Sequence, residues 1–381
     1  MLVAGLSGPV VPASAGWLED RGLIDPEDGV LDASDYLSGA HGFLPVPFFI
    51  TEPAIGTGLG LAVAYFHPSG EDADREVHPH EGPPSITLGL GGYTDSDTWL
   101  LGGVHQGVWK DDHLRYLGAV AALSVNARYY GLNSGRDSAG NEFSQGVRFK
   151  TEGGLVYQQL NFRLAESDWW AGGHFIYSDV DNEFRVNIGQ DPPIELPGIR
   201  FNTTNSGLGV SIGYDGRNTT FTPTAGTRLE LKYTRYDQGI GGDFNYDMYE
   251  TAVFHYLPTA EHSSLGLRLE FDALRGDAPF FAYPFISLRG IPALRYQGDE
   301  VVTGELEYLW GFTSRWSLAL FGGVGKAFAD ESVGSSEETA WAYGTGIRYR
   351  LAKKFGLQGG VDVARGPEDT AFYITMGSAW R

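Results

Sequence analysis

The chain has 381 residues, with 27 Lys and Arg against 48 Asp and Glu for a net charge of −21, and it contains 54 Gly, 20 Tyr, 22 Phe, 9 Trp and no Cys. The acidic balance excludes a nucleic-acid surface, which needs clustered basic charge, and the missing Cys excludes disulfides and thiolate chemistry. Abundant Gly and aromatic residues with few long apolar runs argue against soluble domains built on Leu, Ile and Val cores, and fit a barrel in which only half of each strand must be apolar.

In chain order, Leu2 to Val11 is a short apolar run, and Ala13-Ser14-Ala15 matches a small-residue cleavage site. Residues 1–15 are therefore expected to be a signal-peptide remnant, although no Lys or Arg precedes the run. Residues 16–42 read as a short periplasmic segment. Its Asp25, Glu27, Asp28, Asp32 and Asp35 are not at EF-hand spacing, so a solvated acidic stretch is expected rather than a calcium loop.

From Phe43 onward the period is two. Leu229, Leu231 and Tyr233 alternate with Arg228, Glu230 and Lys232, and Leu265, Leu267, Leu269 and Phe271 alternate with Gly266, Arg268, Glu270 and Asp272. Successive strand side chains face opposite sides, so each segment has one apolar and one wet face. Such segments are expected at 43–51, 57–66, 85–93, 98–109, 114–130, 146–164, 169–180, 206–214, 227–236, 245–256, 263–274, 301–310, 314–328, 340–351, 355–364 and 371–380. The predicted fold is all-β: a transmembrane antiparallel barrel of about sixteen strands over 43–381, with both chain ends periplasmic. Connections 165–168 and 258–262 are expected on the periplasmic side, and the longer 131–144, 181–205 and 276–300 outside. Residues 67–84 are long for the side where turns should be short.

Several segments carry a family resemblance. Leu44-Pro45-Val46-Pro47-Phe48-Phe49-Ile50-Thr51-Glu52-Pro53 with Gly56-Thr57-Gly58-Leu59-Gly60 opens the barrel. Asp215-Gly216-Arg217-Asn218 with Phe221, Pro223, Gly226 and Thr227 forms a turn between strands, and Ser287-Leu288-Arg289-Gly290-Ile291 sits in a long loop before the last five strands. Ala342 to Tyr349, Val361-Asp362-Val363-Ala364 and Phe372 to Trp380 complete the set. Together they resemble the BamA/TamA superfamily, the barrels that insert proteins into, or pass them across, the bacterial outer membrane.

The resemblance implies that the loop carrying Leu288, Arg289, Gly290 and Ile291 folds into the lumen, where Arg289 meets acidic residues. Strand parity puts Leu306, Tyr308 and Trp310 outward and Glu305 and Glu307 inward, so these two glutamates are the expected partners. The chain departs from the family pattern at Gly323, where many members carry Asp, and at Ile291, where an aromatic is usual. The resemblance further implies a working seam between the first and last strands, here Pro45 and Pro47 on one side and Phe372, Gly377 and Trp380 on the other. Pro45 and Pro47 lie two apart, so their missing N–H groups address the same strand edge. Residues 16–42 are too short for the POTRA domains by which the family recruits clients, so a separate recruiter is expected.

Signals for other chemistry are weak. Gly209-Val210-Ser211-Ile212-Gly213 matches a nucleophile elbow only formally, because it lies inside an alternating strand rather than at a strand-to-helix turn. His67, His78 and His80 lack further ligands at a metal spacing. No catalytic residue, metal or cofactor is expected. The expected function is assistance of protein or lipid insertion or translocation at the outer membrane by a monomer, with outer-membrane lipid and an unfolded protein or lipid client as partners. A passive pore or structural surface barrel is the alternative.

Overall fold

The computed structural model describes residues 22–34, 42–67, 85–129, 134–136, 142–144, 147–185, 187–188, 194–195, 198–220, 222–328, 337–353, 356–378 and 380. The expected signal remnant at 1–15 lies outside them, as do Asp35, His78, His80 and most of 67–84. No described helix is long and apolar enough to cross a membrane.

Sixteen strands form one antiparallel sheet in sequence order. They are β1 (Gly42–Glu52), β2 (Gly56–Phe66), β3 (Ile86–Thr94), β4 (Trp99–Trp109), β5 (Leu114–Tyr129), β6 (Val147–Arg163), β7 (Trp169–Arg185) and β8 (Ile199–Asp215). The second half comprises β9 (Gly226–Tyr236), β10 (Asn245–Ala260), β11 (Ser263–Asp277), β12 (Glu300–Gly311), β13 (Trp316–Phe328), β14 (Glu338–Ala352), β15 (Leu357–Arg365) and β16 (Thr370–Met376). Each pairs with the next, and among the described residues no ladder joins β1 to β16 although their Cα atoms come within 8 Å. The barrel is thus closed everywhere but at one seam.

The period-two pattern sets which way the walls face. Leu59, Leu101, Leu208, Val210, Leu306 and Ile374 are exposed on the outer surface, an apolar belt that only a hydrocarbon environment would stabilise. Aromatic residues border it: Tyr93 and Trp99 at one end, and Trp109, Trp169, Trp310 and Trp316 at the other, as amphipathic rings do at lipid headgroups. The second end carries the tight turns 110–113, 261–262 and 312–315 together with the long 67–85 connection, and the first carries most of the long connections, the asymmetry by which outer-membrane barrels distinguish a periplasmic end from an outer one.

Three strands differ most from expectation. β7 and β8 run on to Arg185 and back from Ile199, well beyond the apolar alternation, and their extra rungs are held by Asn182 bonded to Thr151 and Thr203 and by Phe184 stacked on Phe201. These rungs stand above the belt, where neither face needs to be apolar. The last strand ends at Met376 rather than Trp380, because Gly377 adopts φ +80° and turns the chain inward.

The expected solvated acidic stretch is also corrected. Asp25 and Asp32 are buried, and Asp25, Asp28 and Asp32 surround Arg315 in the β12–β13 turn at 2.5, 2.7 and 2.5 Å. Lys353 donates to Asp25 at 2.6 Å, Ala33 N–H to Leu351 at 2.6 Å, and the Tyr349 hydroxyl to Leu31 at 2.7 Å. Residues 22–34 therefore form a strap across periplasmic turns, a long-range docking that parity and propensity do not encode.

The strap carboxylates are held low. Hydrogen bonds from Arg315 bring Asp28 to about 2 from its ordinary 3.8, and Lys353, then the Glu27 amide, lower Asp25. A depressed carboxylate stabilises docking above its ordinary pKa and loses that contribution as the pH falls through the shifted value. The strap should accordingly stay protected from protease at about pH 4, where free Asp is half protonated. Arg315→Ala should open 22–34 to cleavage at neutral pH with the barrel intact; unchanged protection would contradict the docking.

Candidate functional site

The connection from Asp277 to Glu300 enters the barrel rather than standing above it. An antiparallel bridge between Phe285 and Gln297, with Ile286 N–H donating to Tyr296 O at 3.0 Å, makes it a narrow hairpin-like finger. Ile286, Leu288, Ile291 and Tyr296 pack on Val301, Ala327, Ala340 and Ala342 of the β12–β14 wall. On the opposite side, Phe280 and Leu294 reach Phe149, Phe184 and Ala127 of β5–β7 and Ile55 of the first hairpin. The finger thus spans the extracellular half of the lumen from wall to wall.

Its tip carries the guanidinium. Arg289 donates from Nε (3.0 Å) and Nη2 (2.6 Å) to Glu305 Oε1, and from Nη1 to Asp362 Oδ2 at 2.9 Å. Glu307 Oε2 lies 2.7 Å from Nη1 as an ion pair without hydrogen-bond alignment. Phe321 stacks beneath, with its ring centre 3.5 Å from the Arg289 Cζ. Two more cations complete the cluster: Arg268 donates to Glu305 and Glu270, and Arg348 grips Asp362 through both carboxylate oxygens. Each of the buried carboxylates Glu305, Glu307 and Asp362 thereby has an arginine beside it, as buried charges require, with Glu270 at the more exposed edge.

Asp362 is the residue that the sequence reading left without a role. It is wholly buried and central, so the arginine does not depend on Glu307 to replace the missing Asp at 323. Parity could have found it, since the exposed Val361 and Val363 turn Asp362 inward. Gly323 serves a different purpose. A Cβ there would lie 2.6 Å from Leu288 Cδ2 and 2.7 Å from Gly304 O, so its bare Cα is the slot for Leu288, while Ile291 fills the apolar cluster. Gly323→Val is expected to cost about 1–3 kcal/mol by overpacking, read as a lower unfolding midpoint; an unchanged midpoint would refute the slot.

The finger also bridges the seam. Gly290 N–H donates to the Tyr373 hydroxyl of β16 at 2.8 Å, and Ala293 N–H donates to Glu52 Oε1 at the end of β1 at 3.3 Å. Arg295 and Tyr296 bond Glu368 in the turn before β16. Pro45 and Pro47 are paired in register with Val63 and Leu61 inside β1, an edge strand. Proline fits such a strand when its nitrogen addresses the unpaired side, which here is the seam.

The remaining predicted residues are split between the two ends. Phe372 faces outward on β16. Trp380 does not continue the strand edge: after Gly377 its indole enters the lumen, packs on Phe254 and Tyr256, and donates to Glu305 Oε2 at 2.8 Å. A Cβ at Gly266 would collide with this ring. In the β8–β9 turn Arg217 donates from Nε and Nη2 to Asp215 at 2.7 and 2.8 Å, Asn218 Oδ1 accepts the amides of Thr224 and Ala225, and Gly226 has φ +101°. Next to Pro223, Thr222 donates across the periplasmic mouth to Gly356 O. Phe221 lies outside the described residues. Ser211 sits mid-strand on β8, bonded to Gln159 and Asn161.

The same architecture occurs in solved barrels. BamA from Haemophilus ducreyi lacking POTRA domains 1–3 matches over 89% of this chain and 70% of that chain, with a TM-score of 0.55 at 12% identity. This chain has the fold of a BamA-type barrel. CdiB from Escherichia coli matches over 87% of this chain and 61% of that one (TM-score 0.54, 12% identity), and CdiB from Acinetobacter baumannii over 88% and 59% (0.51, 9%). The chain spans between 59% and 70% of the length of those chains. No family model matches the sequence, and no curated protein does.

Proposed function

We propose that this barrel resides in the bacterial outer membrane and assists insertion or translocation of protein or lipid through its seam, without covalent chemistry. The observation that carries the reading is the pair of unladdered edges, β1 and β16, tied by a lumen finger rather than by strand pairing. An edge strand with free backbone groups is a template for an incoming strand, and two loop hydrogen bonds are easier to exchange than a full ladder. The fold shared with BamA and CdiB supports the same reading. The barrel acts as a monomer in lipid, on an unfolded protein or a lipid client.

Depletion in the native host tests it. Other outer-membrane barrels or surface lipid should fail to reach the surface. Normal assembly after depletion, together with steady ion conductance by the purified protein, would replace this reading with a passive pore.

A further inference from the structure

The outer wall of β2 to β5 departs from the apolar belt. The parity that exposes Leu59, Leu61, Tyr93 and Leu101 also turns Tyr65, His67, Thr87 and His105 outward. Thr87 Oγ1 lies 2.7 Å from His67 Nε2 and 2.8 Å from His105 Nδ1, and the two imidazole rings meet edge to face at 5.2 Å. Among the described residues no hydrogen bond reaches His67 Nδ1 or His105 Nε2. Tyr65, Trp109 and Tyr116 frame the rings, and Lys110, exposed in the periplasmic turn, follows Trp109 without a carboxylate partner among the described residues.

Directly above, one step along the same face, is an open groove of about 460 Å³ lined by Leu101, Gly103, Val120, Ala122, Gly154 and Val156. At its far end Asp179 accepts from Asn202 at 2.8 Å. A polar ladder on a hydrocarbon-facing wall is unfavourable unless the donors left unbonded among the described residues find a partner, and the neighbour of a belt-facing wall is lipid. Imidazole N–H groups and an ammonium at the periplasmic border complement a phosphodiester, and the groove of small and apolar side chains accepts a hydrocarbon chain.

We propose that this wall seats one phospholipid of the inner leaflet, with its phosphodiester at His67, Thr87, His105 and Lys110 and one acyl chain in the groove beside Gly103. The proposal rests on the reading of the belt as lipid-facing and is independent of client insertion, because binding is read on the isolated barrel. The seat fixes the barrel's rotational relation to a neighbouring lipid on the wall next to the seam strands.

Native mass spectrometry of the folded full chain in non-ionic detergent tests it, with phosphatidylglycerol, a diacylglycerol without phosphate, and glycerol phosphate as probes. One phosphatidylglycerol should be retained, with diacylglycerol and glycerol phosphate each held at least about tenfold more weakly. The double variant His67→Ala, His105→Ala and the groove-filling Gly103→Leu, each verified as folded by its heat-dependent gel shift, should both lower retention by about tenfold or more. Equal retention of diacylglycerol, equal binding of glycerol phosphate, or unchanged binding by both variants would overturn the proposal.

Discussion

Arg289→Ala is expected to release the lumen finger and to destabilise the barrel by about 3–5 kcal/mol, the cost of breaking a buried ion cluster from one side. Its removal leaves Glu305, Glu307 and Asp362 facing only Arg268 and Arg348, with all three carboxylates in the barrel interior. The stacking on Phe321 is lost with it. The unfolding midpoint in urea should fall, and single-channel conductance in a planar bilayer should rise as the finger leaves the lumen. Arg289→Lys should recover part of the stability only, since an ammonium cannot present the planar fork that reaches Glu305 and Asp362 together. A variant with unaltered midpoint and conductance would show that the finger is held by its apolar contacts alone.

Asp362→Ala should be as damaging, also by about 3–5 kcal/mol, because it strands a cation on the opposite side of the cluster. Arg348 is 1% exposed, and its next carboxylate, Glu307, is 3.8 Å away. Gly346 and Gly360 leave the space this pair occupies, since a Cβ at either would run into Arg348 or Asp362. Replacing both partners by apolar residues, Arg348→Met with Asp362→Leu, should restore most of the loss, as isosteric replacement of buried pairs does. Urea unfolding of the two variants side by side distinguishes the cases; a double variant as unstable as Asp362→Ala would mean that the pair positions the finger rather than merely satisfying charge.

Local rules carried most of the architecture. Alternation at Leu265 to Phe271 and at Leu229 to Tyr233 specifies strand and face together, and turn residues such as Asp215, Asn218 and Gly226 mark the ends, so sixteen strands in sequence order were legible. The ends of β7 and β8 were not, because above the belt the apolar requirement lapses. In the site, the inward turn of Glu305 and Glu307 followed from parity, whereas the convergence of Arg289 with Asp362, 73 positions away, depends on barrel curvature that no local pattern records. Two further misses share that cause. Arg315 looks like a surface turn residue until the strap from 22–34 closes on it, and Trp380 looks like a strand end until Gly377 sends it inward to Glu305.

The central claim is that the junction of β1 and β16 opens during work, and a cysteine-free chain makes that directly testable. One cysteine in β1 and one in β16, placed at positions that crosslink on oxidation, give a single disulfide with no competing thiol. Vesicles carrying the reduced protein should speed folding of an added outer-membrane client, and oxidation should abolish the gain until a reductant restores it. Equal acceleration with the edges locked would contradict the account.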